Sequence, residues 1–199
     1  MTATRRLTYL IAASLDGFIA GPSGDDPTGP DGFWPVTDDY IRFLTEEYPE
    51  TLPSVAREAL GITERGSRFD TVLEGRRTYE IGLAAGVPNA YPHLRHLVFS
   101  TTLETLPDPA IELVRHDPVE RVRALKNEAG GGIWLIGGGA LAAALRSEID
   151  ELVVKLSPLT IGTGIPLWGA DATFEPTMWT RAGVTPLPGG TTVLHFTRA

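Results

Sequence analysis

Cysteine is absent from the 199-residue chain, so disulfides, thiolate nucleophiles and cysteine metal sites are excluded. Basic residues are scarce: 17 Lys and Arg stand against 25 Asp and Glu, a formal charge of −8. That balance disfavours a general nucleic-acid binder, which needs a basic field. It leaves room for a local basic pocket around a small anion. Histidine is rare as well. His93, His96, His116 and His195 include no pair at the HExxH spacing of a zinc helix, and no metal is expected. No segment approaches the ~18 apolar residues of a membrane-spanning helix. The N-terminus places Arg5 and Arg6 before an apolar run, the outline of a signal sequence, but the run over 7–15 is short and Asp16 breaks it. A first β-strand is the better reading, in a cytoplasmic protein with neither a membrane nor a nucleic-acid partner.

What is present is an ordinary globular composition, 42% hydrophobic and 21% charged, of a length that suits one domain over 1–199. An apolar strand over 7–13 leads into a loop over 14–32 rich in Gly, Pro, Asp and Ser. Thr37, Asp38 and Asp39 then cap an amphipathic helix that Pro49 and Pro53 interrupt, with a short helix over 54–60. Further strands are expected over 71–73, 96–100, 111–114, 133–136 and 151–156, with helices between them. Asp117, Pro118 and Glu120 form the outline of a capping box for a helix ended by Gly130, Gly131 and Gly132. The tail alternates about Pro188, Gly189 and Gly190 as an antiparallel hairpin does. Strands alternating with helices imply a mostly parallel α/β sheet, and the hairpin makes it mixed.

Two strand-to-helix turns carry the chemistry. In the first, Gly75, Arg76, Arg77 and Thr78 follow a strand and open a helix. Unpaired N–H groups, a hydroxyl and two forked cations together suit a phosphate or pyrophosphate. A plain glycine turn with two solvated arginines is the alternative. In the second, Gly137, Gly138 and Gly139 close a buried strand ahead of Ala140 and Leu141. Bare backbone there lets a ligand approach closely, although a tight helix–sheet packing turn would look the same. It is not the GxGxxG fingerprint. Two such turns in one sheet strengthen each other, because open α/β sheets bind ligands at the C-terminal strand edge.

The order of four motifs resembles the dihydrofolate-reductase-like superfamily. Within it, the chain is most similar to the reductase domain of the bifunctional riboflavin-biosynthesis deaminase–reductase and its stand-alone relatives. The motifs are Ile11-Ala12-Ala13-Ser14-Leu15-Asp16-Gly17-Phe18-Ile19-Ala20-Gly21, Leu73-Glu74-Gly75-Arg76-Arg77-Thr78-Tyr79-Glu80, Ile133-Trp134-Leu135-Ile136-Gly137-Gly138-Gly139, and Asp150-Glu151-Leu152 followed by Pro158 and Gly162-Thr163-Gly164-Ile165-Pro166-Leu167. The resemblance implies a three-layer α/β/α reductase, a homodimer, that uses NADPH on a small substrate. By the same resemblance Ala13 and Ala20 lie beside the nicotinamide carboxamide. Arg76 faces the 2′-phosphate, with Gly75, Arg77 and Thr78 near the phosphates. Ser100 and Thr101 flank the adenosine, and Gly137, Gly138, Gly139, Ala140 and Leu141 cover the pyrophosphate and nicotinamide ribose. Glu74 departs from the family's usual apolar residue. Buried, it needs a partner such as an arginine, or else it marks a substrate contact.

Hydride transfer to a C=N or C=O bond needs a nearby proton. The stretch from Trp34 to Tyr40 resembles the acid-bearing segment of dihydrofolate reductases, and Asp39 falls nearest the acid's position. Asp38 and Asp39 equally serve as helix caps. Phe18, Phe33, Trp34, Tyr40 and Phe43 either stack a flat heterocycle or pack the core. The ribosylaminopyrimidine of riboflavin synthesis is the first candidate substrate. Dihydrofolate reduction and NADPH binding without turnover are the alternatives.

Overall fold

The computed structural model describes residues 4–29 and 32–199, so residues 30 and 31 of the expected 14–32 loop lie outside the described residues. The chain runs β1 (Leu7–Ala13), β2 (Phe18–Ala20), α1 (Asp38–Glu47), α2 (Ser54–Ala59), β3 (Phe69–Gly75), α3 (Arg76–Ala84), β4 (Arg95–Phe99) and β5 (Glu112–Val114). It continues with α4 (Pro118–Asn127), β6 (Gly132–Gly137), α5 (Gly139–Ala144), β7 (Glu151–Leu156), β8 (Ile165–Pro166), β9 (Trp179–Pro186) and β10 (Thr192–Arg198). Eight strands form one sheet in the order β5-β4-β3-β6-β1-β7-β10-β9. All pairs from β5 to β7 are parallel, and β10 pairs antiparallel with both β7 and β9. This is the mixed, mostly parallel sheet with a closing hairpin.

β1 reads LTYLIAA because it lies between two parallel neighbours and is covered on both faces, the setting in which strands become continuously apolar. One face carries Leu7, Leu73, Leu97 and Leu135 under Leu125 of α4 and Leu141 and Ala142 of α5. The other carries Leu10, Val72, Trp134 and Val153 under Leu44 of α1 and Tyr48. Each such side chain contributes about 1.5–3 kcal/mol by burial. Glu50, fully buried, fixes the entry to β3: its Oε1 accepts from the N–H groups of Arg68 and Phe69, both at 2.8 Å.

The capping box does not form at α4. Asp117 sits at φ 49° and ψ 55°, in the left-handed region, and its side chain makes no cap bond. Glu120 instead pairs with Arg123 at 2.9 Å. The carboxylate cannot turn back to the helix from that backbone conformation, so the box pattern named the helix start but not its chemistry. Among the described residues no helix is long and apolar enough to cross a membrane.

Candidate functional site at the C-terminal strand edge

The parallel register brings both glycine turns to one edge. Gly75 pairs with Phe99, Glu74 with Gly137, and Ala13 with Leu156. Gly75, Phe99 with Ser100 next after it, Gly137 and Ala13 therefore end neighbouring strands. The two turns touch through backbone. A Cβ on Gly75 would lie 3.6 Å from the Gly138 nitrogen and 3.7 Å from the Gly137 oxygen. A Cβ on Gly137 or Gly138 would meet the Thr78 hydroxyl at 3.9 or 3.8 Å. Gly75 caps α3 without any side-chain bond, which leaves the first N–H groups of that helix open to an anion. Arg76 lies at this helix start, and its Nη1 donates to Glu80 at 2.9 Å. That pair is surface-exposed and weak, and it leaves other guanidinium donors open. Arg77 is exposed, as are Thr101 and Ala140, while Leu141 is buried. Ser100 is buried and accepts from the N–H groups of Leu103 at 2.9 Å and Thr102 at 3.2 Å. The donor set of the two turns, bare N–H groups with a hydroxyl and cations, is one that a pyrophosphate fits.

The first and fourth motifs meet through Asp16. Its carboxylate accepts from the Ser14 hydroxyl at 2.6 Å, from the Ile161 N–H at 3.0 Å and from the Gly162 N–H at 2.7 Å. These bonds hold its carboxyl below the usual carboxylate range, the Ser14 bond most strongly. They latch the loop after β1 onto the loop after β7, beside the small β2–β8 ladder. Gly164 must be glycine here, since a Cβ would fall 2.2 Å from the Ala20 oxygen. Gly139 is constrained likewise, 2.3 Å from the Pro166 oxygen. The Tyr9 hydroxyl completes the seam by donating to the Leu167 oxygen at 3.0 Å. Within the first motif Asp16 carries no mark of this role. Its spacing from Ser14 marks a local turn, but the partners at 161 and 162 are legible only in three dimensions.

Glu74 is buried and its partner is His96, not an arginine: Oε1 and Nε2 lie 2.6 Å apart. The pair faces α3, with Tyr79 edge-on to the imidazole. The Asn89 amide oxygen accepts from the Tyr91 N–H and lies 3.2 Å from His96 Nδ1, while its nitrogen donates to Asp108 at 2.8 Å. An oxygen facing Nδ1 requires a proton on that nitrogen. Beside Glu74 the Tyr79 hydroxyl has no partner among the described residues, and burial holds its pKa up.

The α1 side of the edge holds the other candidates. Asp39 accepts from the Gly189 N–H at 2.8 Å, in the turn of the β9–β10 hairpin. That bond, first among the causes, holds its carboxyl below the ordinary range. The bond ties α1 to the hairpin turn. Trp34 is buried, and its indole N–H donates to the Ser157 hydroxyl at 2.6 Å. Phe43 packs on Tyr48 with ring centroids 5.7 Å apart, a core role. Phe33 is exposed, Phe18 is half-buried, and Tyr40 lies under the side chain of Lys155. Lys155 stands as a lone lysine in a mostly apolar strand, the sequence signal of this contact.

Comparison with known proteins places the chain's fold and family. The chain is 28% identical over 197 residues to YwjB of Bacillus subtilis (strain 168), covering 98% of this chain and 99% of the relative. It is 26% identical over 177 residues to YyaP of the same organism, covering 82% and 80%. In structure it resembles a protein of Shewanella sp. PV-4 described as a riboflavin biosynthesis protein, with a TM-score of 0.65, 20% identity and coverage of 98% and 99%. It also resembles dihydrofolate reductase of Enterococcus faecalis, solved with NADP(H) and RAB-propyl, with a TM-score of 0.64, 17% identity and coverage of 97% and 96%. A third similar structure is the Thermotoga maritima diaminohydroxyphosphoribosylaminopyrimidine deaminase/5-amino-6-(5-phosphoribosylamino)uracil reductase. Its TM-score is 0.61 at 16% identity, over 98% of this chain and 57% of that one. These structural likenesses establish the dihydrofolate-reductase-like fold. The model of the RibD C-terminal domain matches residues 5–193, and the chain belongs to that family.

Proposed function

We propose that the chain is an NADPH-dependent reductase of a small heterocyclic carbonyl or imine substrate. The observation that carries this reading is the meeting of two bare glycine turns at one strand edge, 3.6 Å from a Cβ on Gly75 to the Gly138 nitrogen, beside an uncapped helix start flanked by Arg76 and Arg77. Family membership adds the reductase chemistry, and NADPH when bound supplies the hydride. The chain's own residues bind and orient. The open N–H groups of α3, with Thr78, take the phosphates. Arg76 takes the 2′-phosphate in place of Glu80, and Arg77 adds charge at the mouth. Gly137, Gly138, Gly139, Ala140 and Leu141 cover the pyrophosphate and ribose, and Ser100 and Thr101 border the adenosine. Ala13 and Ala20 flank the nicotinamide carboxamide. The Asp16 latch keeps Ala20 against Gly164, so the loop that bears it does not drift from the ring. The ribosylaminopyrimidine of riboflavin synthesis is the first substrate to try and dihydrofolate the second, with a homodimer in the cytoplasm as the working form.

The test is loss of reduced-nicotinamide absorbance when each candidate substrate is added to protein with NADPH. Substrate-dependent loss supports a reductase. Saturable binding without turnover on any carbonyl or imine heterocycle supports a non-catalytic NADPH-binding protein instead.

A further inference from the structure

Lys155 is a charged residue where the fold has no ordinary use for one. It lies on β7, an inner strand flanked by β1 and β10, paired with Ala12 on one side and Val193 on the other. It is only 9% exposed. Its ammonium lies 5.5 Å from the ring centroid of Tyr40 on α1. Among the described residues it makes no hydrogen bond and no ion pair. The aliphatic stem is buried along the sheet, while the ammonium is not sealed in and so keeps an open side at the strand edge.

Its position sets that open side at the ligand-facing edge. Lys155 is one residue from the C-terminal end of β7, at the same edge as Gly137 of β6 and Ala13 of β1. β7 and β6 are two strands apart, about 10 Å at the usual spacing, roughly the width of a flat bicyclic ring. The surroundings are Ala12, Val193 and Tyr40: small, apolar and aromatic, suited to a planar heterocycle with one charged end. Asp39, the neighbouring acid of α1, is committed to Gly189.

We propose that Lys155 is the specificity-determining residue of the substrate pocket, and that it selects a planar heterocycle bearing an anionic oxygen, as a carboxylate or an enolate. This deepens the reductase reading and rests on it for the name substrate, but the anion preference belongs to the pocket itself.

The experiment is calorimetric titration with orotate, a planar pyrimidine carboxylate, and with its uncharged carboxamide. Wild type, Lys155→Met and Lys155→Arg are compared, each with and without saturating NADPH. Wild type is expected to prefer orotate by about tenfold, the scale of one charge-assisted hydrogen bond. Lys155→Met should lose the preference and Lys155→Arg should keep it, with NADPH affinity equal in all three. Lys155→Gln replaces the Met variant if that protein does not fold. Equal affinity of wild type for acid and amide, no binding of orotate, or a preference that survives Lys155→Met overturns the proposal. Failure of wild type to bind NADPH overturns the reductase reading instead, and the anion preference is then judged from the nucleotide-free titrations.

Discussion

The carboxylate of Glu74 and the imidazole of His96 lie 2.6 Å apart inside the protein, one residue before the glycine turn of β3. Removing one partner leaves the other buried and uncompensated. Glu74→Leu or His96→Leu should each lower stability by about 3–5 kcal/mol. The double variant Glu74→Leu with His96→Leu should be far less destabilised than the sum, because both desolvation costs vanish together. Urea unfolding of the three variants checks this. Additive losses would mean that the two side chains do not act as a pair.

The glycines of the edge divide by what a methyl group would meet. On Gly139 it would fall 2.3 Å from the Pro166 oxygen and 2.5 Å from the Gly169 nitrogen, which are backbone atoms. Gly139→Ala should therefore unfold or strongly destabilise the protein. On Gly75 it would meet nothing nearer than 3.6 Å, and φ is −82°. Gly75→Ala should keep its Tm within a few degrees and weaken NADPH by about tenfold, because the methyl fills the seam between the turns. Unchanged NADPH affinity in folded Gly75→Ala would remove that seam from the binding surface.

Asp16 predicts the acid limit of stability. Its hydrogen bonds depress its pKa in the fold, so the unfolded chain binds the proton more readily. The Asp16 contribution is then fully present above the unfolded value of about 3.9 and is lost as pH falls through the lower folded value. Asp16→Asn should flatten the wild-type decline of Tm below about pH 4 and lower Tm at neutral pH. An acid decline that is identical in the variant would show that other carboxylates set it.

Asp39 separates anchoring from proton delivery. Asp39→Asn keeps an acceptor for the Gly189 N–H and carries no titratable proton. As an anchor, Asp39 should tolerate Asn with unchanged Tm and turnover, while Asp39→Ala lowers Tm. Full stability with turnover abolished in Asp39→Asn would make it the proton donor.

How much of this was legible depended on whether the information was local. β1 and β7 are apolar runs flanked by turn residues, and their sequences alone place them. The two glycine turns were visible for the same reason, and their meeting followed from the parallel order of strands. The Asp16 latch was not visible, because its partners lie 145 and 146 residues away. The Glu74–His96 pair was half visible: Glu74 stood out as a charge in an apolar strand, but its partner comes from a neighbouring strand. At Asp117 the local pattern misled, since a left-handed backbone cannot be read from a capping-box spelling. Lys155 needed the lid of α1 before its burial meant anything.

The central claim is that this edge holds NADPH through Arg76, and equilibrium titration of wild type and Arg76→Ala with NADPH and NADH, followed by tryptophan fluorescence, tests it most directly. Saturable binding that favours NADPH in wild type, with that preference lost in Arg76→Ala and NADH affinity unchanged, is the predicted result; no binding of either nucleotide, or a preference indifferent to Arg76, would contradict it.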